Sequence, residues 1–364
     1  MPSAVPQLYQ YTHVPETKED LDWADLINID LSKYGTPEAN AELAEALITA
    51  IRTKGFFYVT NFGISQSDVD KQFALGQAFY ELPIEEKLKF VPDLAAGEYD
   101  GYRPAGRRVL TGGVPEKIEI WNMSKKDGRI TQPLPSLLEG HREEIQQFAK
   151  ALHDKVLDPL NHLIAIALEL PEDFFVKMHQ WDAFDESHLR YMKYGKFTPK
   201  EAQALEDEMW IRGHTDLGSL TLLFRQPVAG LQIRDQDTGN WKWAKPLDGS
   251  LTVNAGDALS FLTGGYVKST IHRVSLPPKD QRHVDRLGLM YFARPRSDAL
   301  LKTVDSPVLR RAGSKNEFEA GGHAIPNMGD FTKIKQSWNA QKGRSYLETE
   351  GEEILPGFTG KRFD

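Results

Sequence analysis

The pattern that most constrains the fold of this 364-residue chain is His214-Thr215-Asp216, which is followed later in the sequence by His272. Alternate side chains of a β-strand point to the same side, so His214 and Asp216 can reach one metal ion together. His272 must then come from a neighbouring strand, which favours an antiparallel barrel or sandwich. Two imidazoles and one carboxylate are the ligand set of a non-haem Fe(II) site, and they leave one face of an octahedron open.

Apolar, strand-like segments flank these candidate ligands. Residues 217–224 follow Asp216, residues 263–271 form a turn that leads into a strand before His272, and residues 287–292 follow Arg286. A buried arginine close to the metal could hold the far carboxylate of a keto acid through two hydrogen bonds. His-x-Asp also occurs by chance, and two histidines with one acid also suit the Zn²⁺ of a hydrolytic enzyme.

Further motifs occur in an order that is known from one family. With the His-x-Asp motif and the distal histidine, they resemble the isopenicillin N synthase-like group of Fe(II)/2-oxoglutarate-dependent dioxygenases over about residues 25–296. The segments that carry this resemblance are residues 27–31, 54–64, 101–107, 230–233, 254–259 and 268–274.

The resemblance implies a mainly β fold with helices (α+β), in which N-terminal and central helices flank a double-stranded β-helix, or jelly-roll, core. We predict three regions. Residues 1–130 are an N-terminal region of the non-haem dioxygenase type that packs on the core. Residues 131–300 are a helix plus the jelly-roll oxygenase core, and residues 301–364 are a C-terminal extension.

The resemblance also implies the cofactors and the reaction. Fe(II) would bind His214, Asp216 and His272, while Arg286 and Tyr194 would bind the cosubstrate 2-oxoglutarate. With O₂, oxidative decarboxylation to succinate and CO₂ would be coupled to hydroxylation, desaturation or a related oxidation of a small organic molecule. We expect no catalytic acid or base beyond the metal site.

Two positions depart from the family pattern. The family has Arg-x-Ser, whereas Arg286 is followed by Leu287 and Gly288, so the serine hydroxyl that helps to bind the cosubstrate is missing. Met192 stands where the family usually has asparagine. Arg282 competes for the arginine role, and we favour Arg286 because it begins an apolar strand while Arg282 lies in a polar turn.

The candidate substrate contacts follow from strand alternation and from the N-terminal motifs. Arg190 alternates with Met192 and Tyr194, so all three should face the interior. Arg190 would bind a substrate carboxylate, or it would be a structural residue paired with a carboxylate such as that of Glu119. The loop 196–210 is a candidate lid. The other candidate substrate contacts are Phe292, Tyr102, Arg103 and Trp121.

Composition limits the partners. The chain carries 44 Lys and Arg against 52 Asp and Glu, a net charge of −8, which argues against nucleic-acid and anionic membrane surfaces. No apolar run approaches the roughly 18 residues of a membrane span, and the N-terminus shows no signal-peptide pattern. The chain has no cysteine, which fits a reducing compartment, so we expect a cytoplasmic enzyme of secondary metabolism. The sequence does not indicate an oligomeric state.

Two alternatives to a small-molecule oxygenase stay open within the same fold. Residues 261–265 resemble a specialised subgroup that fragments 2-oxoglutarate to ethylene. A catalytically silent small-molecule-binding protein is the alternative from a different class, although such proteins usually lose a metal ligand and none is lost here.

Overall fold

The computed structural model of the protein describes residues 8, 10–93, 98–205, 209–340, 352–360 and 362–363. Within these residues five helices begin at a side chain that caps the first turn. The first helix has Thr36 as N-cap, whose hydroxyl accepts from Ala39 N, and Pro37 in its first turn. The helices are α1 Pro37–Thr53, α2 Gln66–Glu81, α3 Ile84–Leu88, α4 Ser136–Glu139, α5 Arg142–Leu152, α6 Asp158–Ala167, α7 Phe174–Met178, α8 Pro199–Ala204, α9 Asp257–Leu262, α10 Pro307–Ala312, α11 Glu317–Gly321 and α12 Met328–Ala340.

The strands of the described residues are short and mostly antiparallel. They are β1 Asn28–Asp30, β2 Phe56–Thr60, β3 Gly101–Arg103, β4 Ile118–Ser124, β5 His188–Tyr194, β6 Met209–His214, β7 Leu220–Phe224, β8 Leu231–Arg234, β9 Trp241–Trp243, β10 Ser250–Ala255, β11 His272–Ser275, β12 Arg286–Ala293, β13 Glu353–Leu355, β14 Phe358–Thr359 and β15 Arg362–Phe363.

The larger sheet has eight strands in the order β1-β2-β10-β7-β12-β5-β4-β3. Four of them, β1 to β4, come from the N-terminal region, so this region completes the sheet on both edges. The helices α1, α2, α5 and α6 pack apolar side chains on the outer face of this sheet. The central strands are buried on both faces, since every residue of β10 and four of the five residues of β2 and of β7 are buried.

The smaller sheet has five strands in the order β15-β6-β11-β8-β9. Two sheets with antiparallel neighbours form the jelly-roll core that the sequence predicts, with helices on one side. The C-terminal strand β15 pairs with β6 and places the backbone of Arg362 opposite that of His214.

The central helical region is divided near Pro159. This proline lies in the first turn of α6, where a missing N–H costs nothing, and a π-type turn at His153–Leu157 joins α5 to α6. Residues 257–262 form the short helix α9, and residues 101–103 form strand β3. No helix among the described residues combines the length and the apolar character that crossing a membrane requires.

Candidate metal centre

Two histidines meet across neighbouring strands of the smaller sheet. His214 is the last residue of β6 and His272 is the first residue of β11, and the two are directly paired, with ring centroids 4.4 Å apart. His214 Nδ1 donates to the carbonyl of Arg212 at 2.9 Å, and His272 Nδ1 donates to the carbonyl of Thr270 at 3.1 Å. Both imidazoles therefore leave Nε2 free as a lone-pair donor, as a metal ligand must.

Asp216 lies just beyond the end of β6, in the turn that leads to β7. Its Oδ1 is 3.7 Å from Nε2 of His214 and 3.7 Å from Nε2 of His272. Its Oδ2 accepts from Thr221 Oγ1 at 2.7 Å and from Asn254 Nδ2 at 2.9 Å. Because Asp216 lies outside β6, strand alternation alone does not place its carboxylate beside His214, and the hydrogen bonds from Thr221 and Asn254 hold it there.

The electrostatics of the three side chains favour a bound cation. Burial lowers the pKa of His214 to about 4, so the imidazole is neutral at pH 7. Burial raises the pKa of Asp216, but the two histidines and the hydrogen bonds from Asn254 and Thr221 outweigh it and hold this pKa below its usual range. The ligand atoms of the three side chains lie within 4.8 Å of one another. Two imidazole nitrogens and one carboxylate oxygen are a ligand set that fits Fe(II).

A buried arginine and a tyrosine stand on adjacent strands of the larger sheet. Arg286 opens β12 and pairs with Tyr194 at the end of β5, with the guanidinium carbon 4.8 Å from the tyrosine ring. Arg286 is 3% exposed, and its Nε donates to the carbonyl of Val228 at 3.1 Å. Among the described residues no carboxylate pairs with this guanidinium. Burial raises the pKa of Tyr194, so its phenol is a neutral hydrogen-bond donor.

The competing arginine lies elsewhere. Arg282 follows the short turn Lys279–Gln281, and its Nε donates to the carbonyl of Pro277 within the same loop. It does not share the strand face of Arg286 and Tyr194.

Gly288 stands where the family has serine, and in the structure the side chain of Gln226 lies beside it, which the sequence did not indicate. A Cβ on Gly288 would lie 2.9 Å from Nε2 of Gln226. Gln226 is 8% exposed, and neither of its amide atoms has a hydrogen-bond partner among the described residues. Its amide therefore occupies the space next to Arg286 that a serine side chain would take.

The register of the larger sheet decides which side chains face the metal. Paired residues of antiparallel strands share a face. Thr221 faces the metal side, because it hydrogen-bonds Asp216, and it pairs with Phe292, which in turn pairs with His188. Arg190, two residues along from His188, lies on this same inner face.

Two of the remaining candidates are buried on the opposite face. Trp121 pairs with Tyr102, and both are 0% exposed. Their rings pack on Phe79 of α2 at 4.7 Å and 5.7 Å. Arg103 alternates with Tyr102, so it faces the inner side. Of the sequence-based candidates for substrate contact, Arg190, Phe292 and Arg103 share the inner face, and Tyr102 and Trp121 belong to the helix-packed core.

The hydrogen-bond partners of Arg190 are Asn122 and Tyr99, which the sequence analysis does not name. Its Nε donates to Asn122 Oδ1 at 2.7 Å, and its Nη2 donates to the hydroxyl of Tyr99 at 2.7 Å. Glu119, the expected structural partner, lies on the outer face and pairs with Lys87 at 3.0 Å. Asn122 could have been found by its alternation in β4, whereas no local signal marks Tyr99.

The segment ahead of β6 contains α8, whose N-cap Thr198 and Glu201 form a capping box. Lys117 ties this helix to β4 through an ion pair with Glu201 at 2.8 Å. Residues 206–208 of the predicted lid lie outside the described residues, so the lid stays a prediction.

Comparison with known proteins agrees with this geometry. The sequence model described as "non-haem dioxygenase in morphine synthesis N-terminal" matches residues 9–152, and that of the "2OG-Fe(II) oxygenase superfamily" matches residues 187–295. Azadirone synthase of Melia azedarach is 30% identical over 80% of this chain and 87% of that protein. The chain belongs to the 2OG-Fe(II) oxygenase superfamily. A homoarginine-6-hydroxylase of Arabidopsis thaliana is 31% identical over 73% of this oxygenase and 80% of its own length.

The fold of this 2OG-Fe(II) oxygenase is likewise shared with solved structures. The crystal structure of a full-length Neurospora crassa protein in complex with alpha-KG and thymine superposes with a TM-score of 0.74, covering 86% of this chain and 97% of that chain at 24% identity. Its superfamily membership makes the protein a 2-oxoglutarate-dependent dioxygenase that uses iron, 2-oxoglutarate and O₂. The relatives act on different compounds, so they do not identify the substrate of this protein.

Proposed function

We propose that His214, Asp216 and His272 bind Fe(II) in this oxygenase, and that Arg286 and Tyr194 bind 2-oxoglutarate. The observation that carries this proposal is the convergence of two Nε2 atoms and one carboxylate oxygen within 4.8 Å, in a fold whose larger sheet also buries an arginine without a carboxylate partner among the described residues. Fe(II) in this site, with 2-oxoglutarate and O₂, would supply the oxidation of an unactivated C–H bond.

The protein's own residues position the reactants. Arg286 offers a charge-assisted contact to the distal carboxylate of the cosubstrate, and the neutral phenol of Tyr194 offers a second donor beside it. Thr221 and Asn254 hold Asp216 so that Oδ1 is directed towards the histidines. Phe292 and Arg190 of the inner face would then contact the organic substrate, with Arg103 nearby.

The reaction that we propose is hydroxylation, desaturation or a related oxidation of a small organic molecule, coupled to decarboxylation of 2-oxoglutarate. One relative, the 2-oxoglutarate-dependent ethylene/succinate-forming enzyme of Ralstonia nicotianae, is 28% identical over 76% of this chain. Ethylene formation is therefore measured as a separate outcome. A cytoplasmic location and a role in secondary metabolism stay predictions from the sequence.

Anaerobic titration with Fe(II) and 2-oxoglutarate tests the proposal. We expect a weak visible charge-transfer band that requires both components, and succinate release once O₂ is admitted. Asp216→Ala should lose the band and the succinate, while Arg282→Gln should keep both. An unchanged band in Asp216→Ala would refute the metal assignment, and ethylene as the main product would refute the proposed reaction.

A further inference from the structure

Two arginines on the inner face of the larger sheet have no carboxylate partner among the described residues. Arg190 donates through Nε to Asn122 and through Nη2 to the hydroxyl of Tyr99, and no hydrogen bond of its Nη1 occurs within the described part of the chain. The guanidinium carbon of Arg103 lies 4.1 Å from the centre of the Tyr99 ring. Nε of Arg103 is buried and lacks a hydrogen-bond partner there.

Three other buried cations show the usual arrangement, in which a carboxylate compensates the charge. Lys87 contacts Glu119 at 3.0 Å, and Lys125 contacts Asp185 at 2.7 Å. Arg294, which approaches the ring of Tyr99 from a third side at 5.7 Å, pairs with Glu186 at 2.5 Å. Burying a cation without a counter-charge is unfavourable, so two uncompensated guanidinium groups around one tyrosine indicate that a ligand supplies the missing negative charge.

Neighbouring titratable groups do not supply this charge at neutral pH. Burial raises the pKa of Tyr99, but Arg190, Arg103 and Arg294 outweigh it and hold this pKa at about 8, so the phenol is mostly protonated. His188 lies 3.5 Å from Arg190 Nη2. Burial, with Arg294 and Arg190, holds the pKa of His188 well below its usual value, so this ring is a neutral acceptor.

Phe292 and Thr221 connect the cluster of Tyr99, Arg103 and Arg190 to the proposed metal ligand Asp216. The guanidinium carbon of Arg190 is 4.5 Å from the centre of the Phe292 ring. Phe292 pairs with Thr221, whose hydroxyl bonds Asp216. A molecule held at Arg190 would thus extend across the Phe292 ring towards the open side of the metal site.

We infer that Tyr99, Arg103 and Arg190 bind the carboxylate of the substrate, and that this oxygenase acts on small organic acids. The inference rests on the proposed function and names the substrate class of that site. Nη1 of Arg190, Nε of Arg103 and the hydroxyl hydrogen of Tyr99 are donors available to the two oxygens of a carboxylate. A phosphate monoester carries three acceptor oxygens and a second charge, so its binding is measured as the outcome that contradicts this assignment.

The test uses the full-length enzyme with Fe(II) and 2-oxoglutarate under anaerobic conditions. The probes are phenylacetate and hexanoate, each compared with its methyl ester and with a phosphate monoester of similar length, namely benzyl phosphate and pentyl phosphate. The readouts are the change in the visible charge-transfer band and the shift in melting temperature. We expect at least one acid to bind, and its ester and phosphate counterpart to bind at least tenfold more weakly.

Variants assign the effect to the cluster. Arg190→Gln and Arg103→Gln should each weaken binding of the acid at least tenfold and leave the affinity for 2-oxoglutarate within twofold. Arg190→Lys, which keeps the charge, should recover part of the loss. Arg282→Gln, an arginine outside the cluster, should match the wild-type protein in every readout.

The outcomes separate this inference from the proposed function. A wild-type enzyme that gives no band with Fe(II) and 2-oxoglutarate would refute the proposed function itself. A normal band with no binding of either acid, or with equal binding of acid and ester, would refute the substrate class alone, as would stronger binding of the phosphate monoester. Loss of 2-oxoglutarate binding in Arg190→Gln would show that Arg190 holds the cosubstrate and would overturn the inference.

Discussion

The hydroxyl of Thr221 donates to Oδ2 of Asp216 at 2.7 Å, and this contact decides which oxygen of the carboxylate can bind a metal. Asn254 donates to the same oxygen at 2.9 Å. With Oδ2 occupied twice, Oδ1 is left facing His214 and His272 at equal distances of 3.7 Å. Thr221 and Asn254 belong to the larger sheet, so this sheet orients the Asp216 carboxylate, which follows β6 of the smaller sheet.

Replacing Thr221 by Val should weaken Fe(II) binding about tenfold to a hundredfold, since the loss of a partner that orients a ligand typically has this effect. Fe(II) affinity is measured by anaerobic titration, and unfolding is measured on the same preparation. Thr263→Val is the matched control, because Thr263 is also buried and its hydroxyl donates to the carbonyl of Leu259. Equal Fe(II) affinities in the two variants would contradict the orienting role of Thr221.

Replacing Arg286 by Gln should raise the 2-oxoglutarate concentration needed for half-maximal succinate release about tenfold to a hundredfold. The physical reason is the loss of a charge-assisted contact that contributes roughly 1.5–3 kcal/mol. Fe(II) binding without cosubstrate should not change. If Arg282→Gln has this effect and Arg286→Gln does not, the assignment of the arginine is wrong.

The sequence was enough to propose His214, Asp216 and His272 as metal ligands, because their spacing and their apolar flanks are local features of the chain. It also predicted the inner-face position of Arg190, because strand alternation depends only on neighbouring residues. Tyr99 and Gln226 could not be found in this way. Each reaches the site from a loop, so its contact depends on how distant strands are paired.

Tyr102 and Trp121 show where a sequence alone does not separate a pocket residue from a core residue. Tyr102 precedes Arg103 in β3, and Trp121 lies in the neighbouring strand β4. An aromatic side chain at either position suits a substrate pocket as well as a helix-packed core. The structure distinguishes the two, because β3 pairs with β4 so that Trp121 and Tyr102 face α2 while Arg103 and Asn122 face the metal side.

Replacing Gln226 by Ala should raise the dissociation constant of 2-oxoglutarate about fivefold to tenfold, because the buried amide next to Arg286 has no other partner among the described residues. Adding Gly288→Ser to this variant should recover most of the loss, since the serine side chain then fills the freed space. Gly288→Ser alone should weaken binding, because its Cβ would lie 2.9 Å from Nε2 of Gln226. Cosubstrate binding is measured anaerobically. If Gln226→Ala lowers only the melting temperature, Gln226 merely fills space.

Replacing Lys335 by Met should destabilise the protein by about 3–5 kcal/mol, because it leaves a buried carboxylate without its counter-charge. Lys335 of α12 is 5% exposed and contacts Asp257, which is 2% exposed. Lys335 also donates to the carbonyl of Thr215 at 3.1 Å, between two proposed metal ligands, and Asp257 N donates to the carbonyl of Asp216 at 2.8 Å. The ion pair between Lys335 and Asp257, with these hydrogen bonds, therefore ties α12 to the turn that carries Thr215 and Asp216.

Denaturant unfolding measures this loss, and Lys333→Met is the control, because Lys333 lies on the exposed side of the same helix. The double variant Lys335→Met/Asp257→Leu should be more stable than Lys335→Met alone, since it removes the unpaired charge together with its partner. Fe(II) should dissociate faster from Lys335→Met than from the control, because the turn that carries Thr215 loses its anchor. A loss of less than about 1 kcal/mol with unchanged Fe(II) dissociation would show that α12 contributes nothing to the metal site.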